Sequence, residues 1–206
     1  MRGAAVPAGS QVQRPPLCAM MASPQPKGLL MPLISPSQAT LVIIDVQARL
    51  MPAIHDGGRV LENARRLVDA AGLLGLPLLM TEQNPDGLGG TVPELAGSGP
   101  VIRKMSFDSC AEPAFLAALA GERDLVVCGC EAHVCVLQTV ITLLSFRRRV
   151  YLVQDAVGSR REESKSAAIT RMQRHGAEIV TTEMVVFEWL RSASHPQFRP
   201  VSKLIR

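Results

Sequence analysis

The chain predicts an α/β domain of the three-layer αβα kind, doubly wound, with a parallel sheet of about six strands. Three observations carry this. Short apolar runs rich in β-branched residues recur without polar alternation, as strands buried on both faces require. Stretches with apolar residues at helical spacing separate them, so successive strands are joined by helical crossovers. The length of 206 residues suits one well-buried core and is too short for two comfortable ones.

The elements follow in order. ATLVIID, residues 39–45, is a buried strand that ends in an acid. DGGRVLENARRLVDAAGLLG places Val60, Leu61, Ala64, Leu67, Val68, Ala71 and Leu74 at helical spacing and closes with Gly75. LPLLMT, 76–81, is a second strand. The Gly- and Pro-rich EQNPDGLGGTVPELAGSGP then reads as a long loop of the kind that borders functional sites. VIRK, 101–104, is a third strand, EPAFLAALAG a helix with proline in its first turn, and DLVVCG, 124–129, a fourth strand. VCVLQTVITLLSF is a helix, RVYLVQD, 149–155, a fifth strand, and REESKSAAITRMQRHG a helix closed by Gly176. AEIVTT is a sixth strand and EMVVFEWLRSA a last helix.

Residues 1–31 contain no acid, are rich in Pro, Gly, Ala and Ser, and show no periodicity. The expected organisation is a disordered tail over 1–31 and one folded domain over 32–206. A transit peptide and an over-extended reading frame, with a true start at Met20, Met21 or Met31, are the alternatives for the tail.

Charge and composition exclude several classes. The formal net charge is +4, but Arg2, Arg14 and Lys27 all precede the first acid, Asp45; without them 19 basic side chains face 18 acidic ones. The only basic run is Arg147, Arg148 and Arg149, and one Tyr and one Trp give little surface for stacking bases, so no nucleic-acid partner is expected. No apolar stretch reaches the ~18 residues that span a bilayer, which implies a soluble protein without a membrane partner. Five cysteines, an odd number with three crowded on one element, do not resemble a secreted disulfide framework and fit a reducing, cytoplasmic setting.

In a doubly wound sheet, sites form at the carboxyl ends of the strands, near the switch in strand order. Those ends are Asp45, Thr81, Lys104, residues 129–135 and Asp155. The first strand is followed by DVQARLMPAIHDGG, with no G-x-G-x-x-G, so a dinucleotide cofactor is not expected. His55, His133, His175 and His195 are scattered, with no H-x-x-x-H or C-x-x-C spacing, so no metal is expected either. Cys128 and Cys130 share one face of a strand and read as small core residues, Cys130 less firmly because it lies at the strand's end. Asp155 reads as a residue that holds the following turn.

Cys135 differs, because GCEAHVC places it at the first turn of the helix after the fourth strand. Unpaired N–H groups and the helix dipole favour a thiolate there. His133, two residues away on the same helix, points to another face and is a poor base for it. Moving a proton from an ordinary thiol to an ordinary aspartate is uphill by about 6 kcal/mol. A helix terminus supplies at most about 2 kcal/mol, whereas an ammonium ~4 Å away supplies about 4 kcal/mol at a dielectric of ~20. Lys104 therefore matters more than the dipole.

The segments VIIDVQ, RKMSFDSC and CGCEAHVCVLQT resemble the isochorismatase-like cysteine hydrolases, and MTEQNPDGLGGTVPEL, QDAVGSR and ASHPQF resemble the small single-domain branch of that family. The similarity covers about residues 33–206. It implies a six-stranded parallel sheet with helices on both sides and a triad carried by Asp45, Lys104 and Cys135. It also implies a non-proline cis peptide at Cys130–Glu131 and an oxyanion hole formed by the N–H groups of Glu131 and Cys135. Nicotinamidases of the family hold a metal with an Asp and a His where this chain has TEQNPDG, which again implies no metal. Isochorismatases proper lack a cysteine at the nucleophile position, so Cys135 favours acyl chemistry.

The expected function is a cysteine amidohydrolase acting on a small carboxamide or similar acyl compound, with Gln47, Phe107, Glu131 and His133 shaping the pocket and no cofactor. An ether or ester hydrolase on the same scaffold is one alternative, and a non-catalytic interaction protein that keeps the fold is another. The resemblance further implies a homo-oligomer, a dimer or higher, and EMVVFEWL offers apolar residues beyond what one core face needs.

Overall fold

Residues 33–205 apart from Ala120 are described by the computed structural model; the expected disordered tail over 1–31 lies outside the described residues. The strands are β1 (Ala39–Ile44), β2 (Leu78–Gln83), β3 (Val101–Lys104), β4 (Asp124–Cys130), β5 (Val150–Gly158) and β6 (Glu178–Val180). They form one parallel sheet in the order β3-β2-β1-β4-β5-β6. The chain works outward from β1 to β3 and then returns to lay β4 on the other side of β1. The order therefore reverses between the two central strands, β1 and β4, every residue of which is buried.

The helices are α1 (Gly57–Leu74), α2 (Pro85–Leu88), α3 (Pro113–Ala118), α4 (Leu137–Ser145), α5 (Glu162–Arg174), α6 (Thr182–Leu190) and α7 (Phe198–Lys203). Helix α1 packs with α6 and α7, and α4 packs with α5. Val42, Ile44 and Val127 share a core with Phe115, Val140 and Leu143, all fully buried. Side chains of this size each contribute about 1.5–3 kcal/mol when withdrawn from water. The three-layer architecture is the one that the unalternating strands predict.

Local departures have physical reasons. Strand β2 starts at Leu78 because Leu76 closes the end of α1, its N–H donating to Ala71. It runs on to Gln83 because Gln83 pairs with Lys104 of β3. Strand β5 runs past Asp155: between the pairs Val127–Leu152 and Gly129–Val157 it advances five residues while β4 advances two, so Gln154 and Asp155 bulge out. The Asp155 carboxylate accepts from the Thr182 N–H at 2.8 Å and from its hydroxyl at 3.0 Å, holding the start of α6. Helices α2 and α7 are short, too short for a helical period to stand out in the sequence.

One glycine sets the geometry at the strand ends. Gly129 has φ 121°, and a Cβ there would run into the Ile44 carbonyl. Without it, β4 comes close to β1 just where Asp45 leaves the sheet.

Candidate active site

Asp45 follows β1 with φ 51°, a left-handed conformation that aspartate tolerates better than most residues. Its carboxylate is fully buried and holds two donors. Lys104, the last residue of β3, donates from Nζ to Oδ2 at 2.7 Å, and Thr81 of β2 donates from Oγ1 to Oδ1 at 2.6 Å. The Lys104 ammonium also donates to the carbonyls of Ser106 and Phe107 at 3.2 and 3.4 Å. Neither side chain of the Asp45–Lys104 pair reaches solvent. An ion pair this deep is tolerable only because further hydrogen bonds satisfy both partners.

Cys135 lies in a wide π-turn, Ala132–Val136, between β4 and α4. The N–H groups of Val134 and Val136 both donate to the Glu131 carbonyl, at 3.0 and 3.2 Å. The helix therefore opens with a widened turn rather than the regular first turn that the sequence predicts, a local form found often at functional sites. The Cys130–Glu131 peptide just before it is cis. Charge and hydrogen bonding from Asp45 and Lys104 both act on the Cys135 thiol. Burial and the Asp45 carboxylate push the thiol up to about 12, and Lys104 brings it only part of the way back. Desolvation thus outweighs the influences expected to favour a thiolate.

Cys135 and Asp45 open onto a cavity of about 350 Å³, the low end of the range for small-molecule sites. Phe107 and Glu131, two of the four residues expected to shape a pocket, line it. Phe107 is 49 % exposed and stands at the rim. Glu131 is buried, and its Oε2 accepts from both the backbone N–H and the Nε of Arg160 at 3.0 Å.

Gln47 and His133 are placed elsewhere. Gln47 is buried, with its amide bonded to Gln83 and to the Gly89 carbonyl, which makes it a brace under the loop after β2. His133 lies 3.0 Å through Nδ1 from the Ser159 hydroxyl and faces a neighbouring groove with Arg160, Arg161 and Ser164, so that Arg160 stands between it and the cavity. The residue at position 133 leaves the site because a turn of this kind directs positions 133 and 135 to different sides. Sequence reasoning gave Thr81 no role beyond marking a strand end and missed Arg49 and Arg160, both of which line the cavity. The only signal for Arg160 was its place in QDAVGSR, where the β5 bulge carries it to the cavity.

Among the described residues, no group of three or more His, Cys, Asp and Glu side chains is placed to hold a metal ion. No helix among them is long and apolar enough to cross a membrane.

A parallel sheet with its crevice at the switch between β1 and β4 defines the class: a doubly wound α/β domain with its site at the strand ends. The isochorismatase domain model matches residues 39–184. Isochorismatase domain-containing protein 2A of Mus musculus is 37% identical over 178 residues, which cover 84% of this chain and 85% of that one. Isochorismatase domain-containing protein 2 of Danio rerio is 34% identical over 175 residues, 84% of this chain and 89% of that one. Among solved structures, that of MAR1 ribonuclease from Caenorhabditis elegans is 36% identical, with a TM-score of 0.80 over 84% of this chain and 91% of that one. The chain belongs to the isochorismatase-like hydrolase family.

Proposed function

We propose that the protein is a cysteine hydrolase that cleaves a small carboxamide or related acyl compound through Asp45, Lys104 and Cys135. The observation that carries this reading is the meeting of a buried thiol with a fully buried carboxylate–ammonium pair at the wall of one cavity. Such groups are costly to bury, and a perturbed thiol beside a buried ion pair at a cleft favours a catalytic role.

Burial raises the thiol above its ordinary range, which favours proton transfer in concert with attack over a standing thiolate. The proton therefore passes from Sγ to the Asp45 carboxylate as the sulfur attacks the carbonyl carbon. Lys104 stabilises the charge on sulfur and carboxylate in turn. The carbonyl π electrons move to oxygen, and the N–H groups of Glu131 and Cys135 receive the oxyanion. Collapse breaks the C–N bond, with Asp45 returning its proton to the departing nitrogen. Water then attacks the thioester, gives a proton to Asp45, and releases the acid as the C–S bond breaks and sulfur is reprotonated.

The test is a library of small carboxamides assayed by ammonia release, with Cys135→Ser, Asp45→Asn and Lys104→Met alongside the native chain. Hydrolysis lost by about 10²–10⁴-fold in each variant supports the reading. Hydrolysis of esters or ethers with all amides left intact moves the assignment to the other bond types.

The similarity to a protein described as a ribonuclease supports a second reading, cleavage of RNA. Two features weigh against it. The cavity of about 350 Å³ suits a small molecule, and Arg147, Arg148 and Arg149 precede β5, at the opposite end of the sheet from the crevice. Cleavage of a labelled RNA that is lost in Cys135→Ser would reverse the order of the two readings.

A homo-oligomer completes the proposal. Leu33, Met184 and Phe187 are exposed around one shallow groove on α6, apolar surface that a second copy can cover. Sedimentation that finds only a monomer removes this part.

A further inference from the structure

We infer that Thr81 is a positioning residue for the reaction, acting through Asp45 by fixing and partly neutralising the carboxylate that receives the Cys135 proton. The inference rests on the proposed roles of Asp45 and Cys135.

Thr81 grips Asp45 at two places. Its carbonyl accepts the Asp45 backbone N–H at 3.2 Å, and its hydroxyl donates to Oδ1 at 2.6 Å. The main-chain contact holds Asp45 at the end of β1; the side-chain contact fixes the plane of the carboxylate. Thr81 is itself buried, and β2 lies between β1 and β3 in the sheet. The hydroxyl and the Lys104 ammonium thus arrive from adjacent strands and take one carboxylate oxygen each.

The division of labour matters because a carboxylate offers about four lone-pair sites on two oxygens. Two rigid donors leave a restricted set of directions from which a proton can approach. An ammonium can only donate, whereas a hydroxyl can donate to the carboxylate and accept from the carboxylic acid. Thr81 is therefore the one of the two partners able to stay bonded to Oδ1 in both protonation states of Asp45.

A threonine with a purely structural part would lose some stability on replacement by valine, which has the same shape and a strong β preference, but leave the reactivity of Cys135 unchanged. The positioning role predicts otherwise. Asp45 opposes ionisation of the Cys135 thiol; removing the hydroxyl leaves more charge on the carboxylate facing the sulfur. Alkylation of Cys135 at alkaline pH, where the proton leaves to solvent rather than to Asp45, slows in consequence.

The experiment measures the rate of iodoacetamide labelling at Cys135 at about pH 9–10, read by mass spectrometry, in the native chain and in Thr81→Val, Thr81→Ser, Asp45→Asn and the Thr81→Val, Asp45→Asn double variant. Thermal melts check that each variant is folded. Thr81→Val is expected to label about tenfold more slowly, equivalent to one pKa unit, and Thr81→Ser to restore the rate to within about threefold. In the Asp45→Asn background the valine substitution is expected to have no further effect. A native labelling rate in Thr81→Val, or an equal slowing in the presence and absence of Asp45, overturns the inference. Failure of the underlying reading looks different: Asp45→Asn itself then leaves Cys135 reactivity unchanged.

Discussion

Gln47 and Gln83 exchange hydrogen bonds in both directions: the Gln83 N–H donates to Oε1 at 2.8 Å, and Nε2 donates to the Gln83 carbonyl at 3.0 Å. The Gln47 side chain thereby imitates a neighbouring strand and extends the ladder past the end of β2. Its amide also reaches the Gly89 carbonyl, so one buried side chain secures both ends of the turn that carries Gln83 and Leu88 into the cavity wall.

Replacing Gln47 with leucine keeps the volume and removes these bonds. The expected cost is about 1–3 kcal/mol in urea unfolding, the penalty for leaving a buried backbone group unpaired. Amide exchange at Gln83 is expected to quicken, and an unchanged rate there would show that the brace is dispensable.

The Asp45–Lys104 pair has no solvent to fall back on. Lys104→Met is expected to destabilise the fold by about 3–5 kcal/mol, because it strands a buried carboxylate. Replacing both residues with apolar ones is expected to cost less than the single change. Chemical denaturation of the single and double variants measures the difference; equal losses would mean that the carboxylate finds water.

Alkylation of Cys135 should follow the charges around it. Asp45 raises the thiol and Lys104 lowers it. Asp45→Asn is therefore expected to move the labelling profile to lower pH, and Lys104→Ala to higher pH. The rate of iodoacetamide labelling across pH 6–11 checks both directions, and shifts of the same sign would contradict the arrangement.

Alkaline stability offers a test of the buried thiols. Burial first of all pushes Cys110, Cys128 and Cys135 from the ordinary 9.0 up to about 12, and Cys130 upward as well. Burial likewise raises Tyr151 from 10.0 to about 12. A folded state that holds its protons more tightly than the unfolded chain keeps its full advantage below about pH 9 and loses it as pH climbs through about 12. Urea midpoints are expected to hold up to about pH 9 and then fall steadily. Midpoints that stay level to pH 11 would show that these groups titrate alike in both states.

Much of this was legible in the sequence because buried parallel strands write themselves as uninterrupted apolar runs. ATLVIID and DLVVCG could hardly be anything else, and their carboxyl ends directed attention to Asp45 and to the segment before Cys135. Lys104 followed from VIRK in the same way. The misplaced residues share a cause: Gln47 and His133 are close in sequence to site residues, but a left-handed turn at Asp45 and a π-turn at Cys135 rotate their neighbours away. Dihedral angles of that kind leave no trace in hydrophobic periodicity. The role of Arg160 depends on how many residues bulge from β5 opposite β4, a matter of register that composition does not encode.

Lys104 reaches the site on the edge strand. Strand β3 has four residues, is mostly solvent-facing, and pairs with β2 alone. Its detachment needs far less opening than the rest of the sheet, since β1 and β4 stay sealed on both faces. Fraying at that edge would carry off the Lys104 ammonium and leave a carboxylate facing a thiol. Chemical competence would thus have a smaller opening free energy than the fold itself, a gap that native-state hydrogen exchange at Ile102 against Val127 reads directly. A sample could then lose its reactivity on warming while its circular dichroism still reports a folded protein.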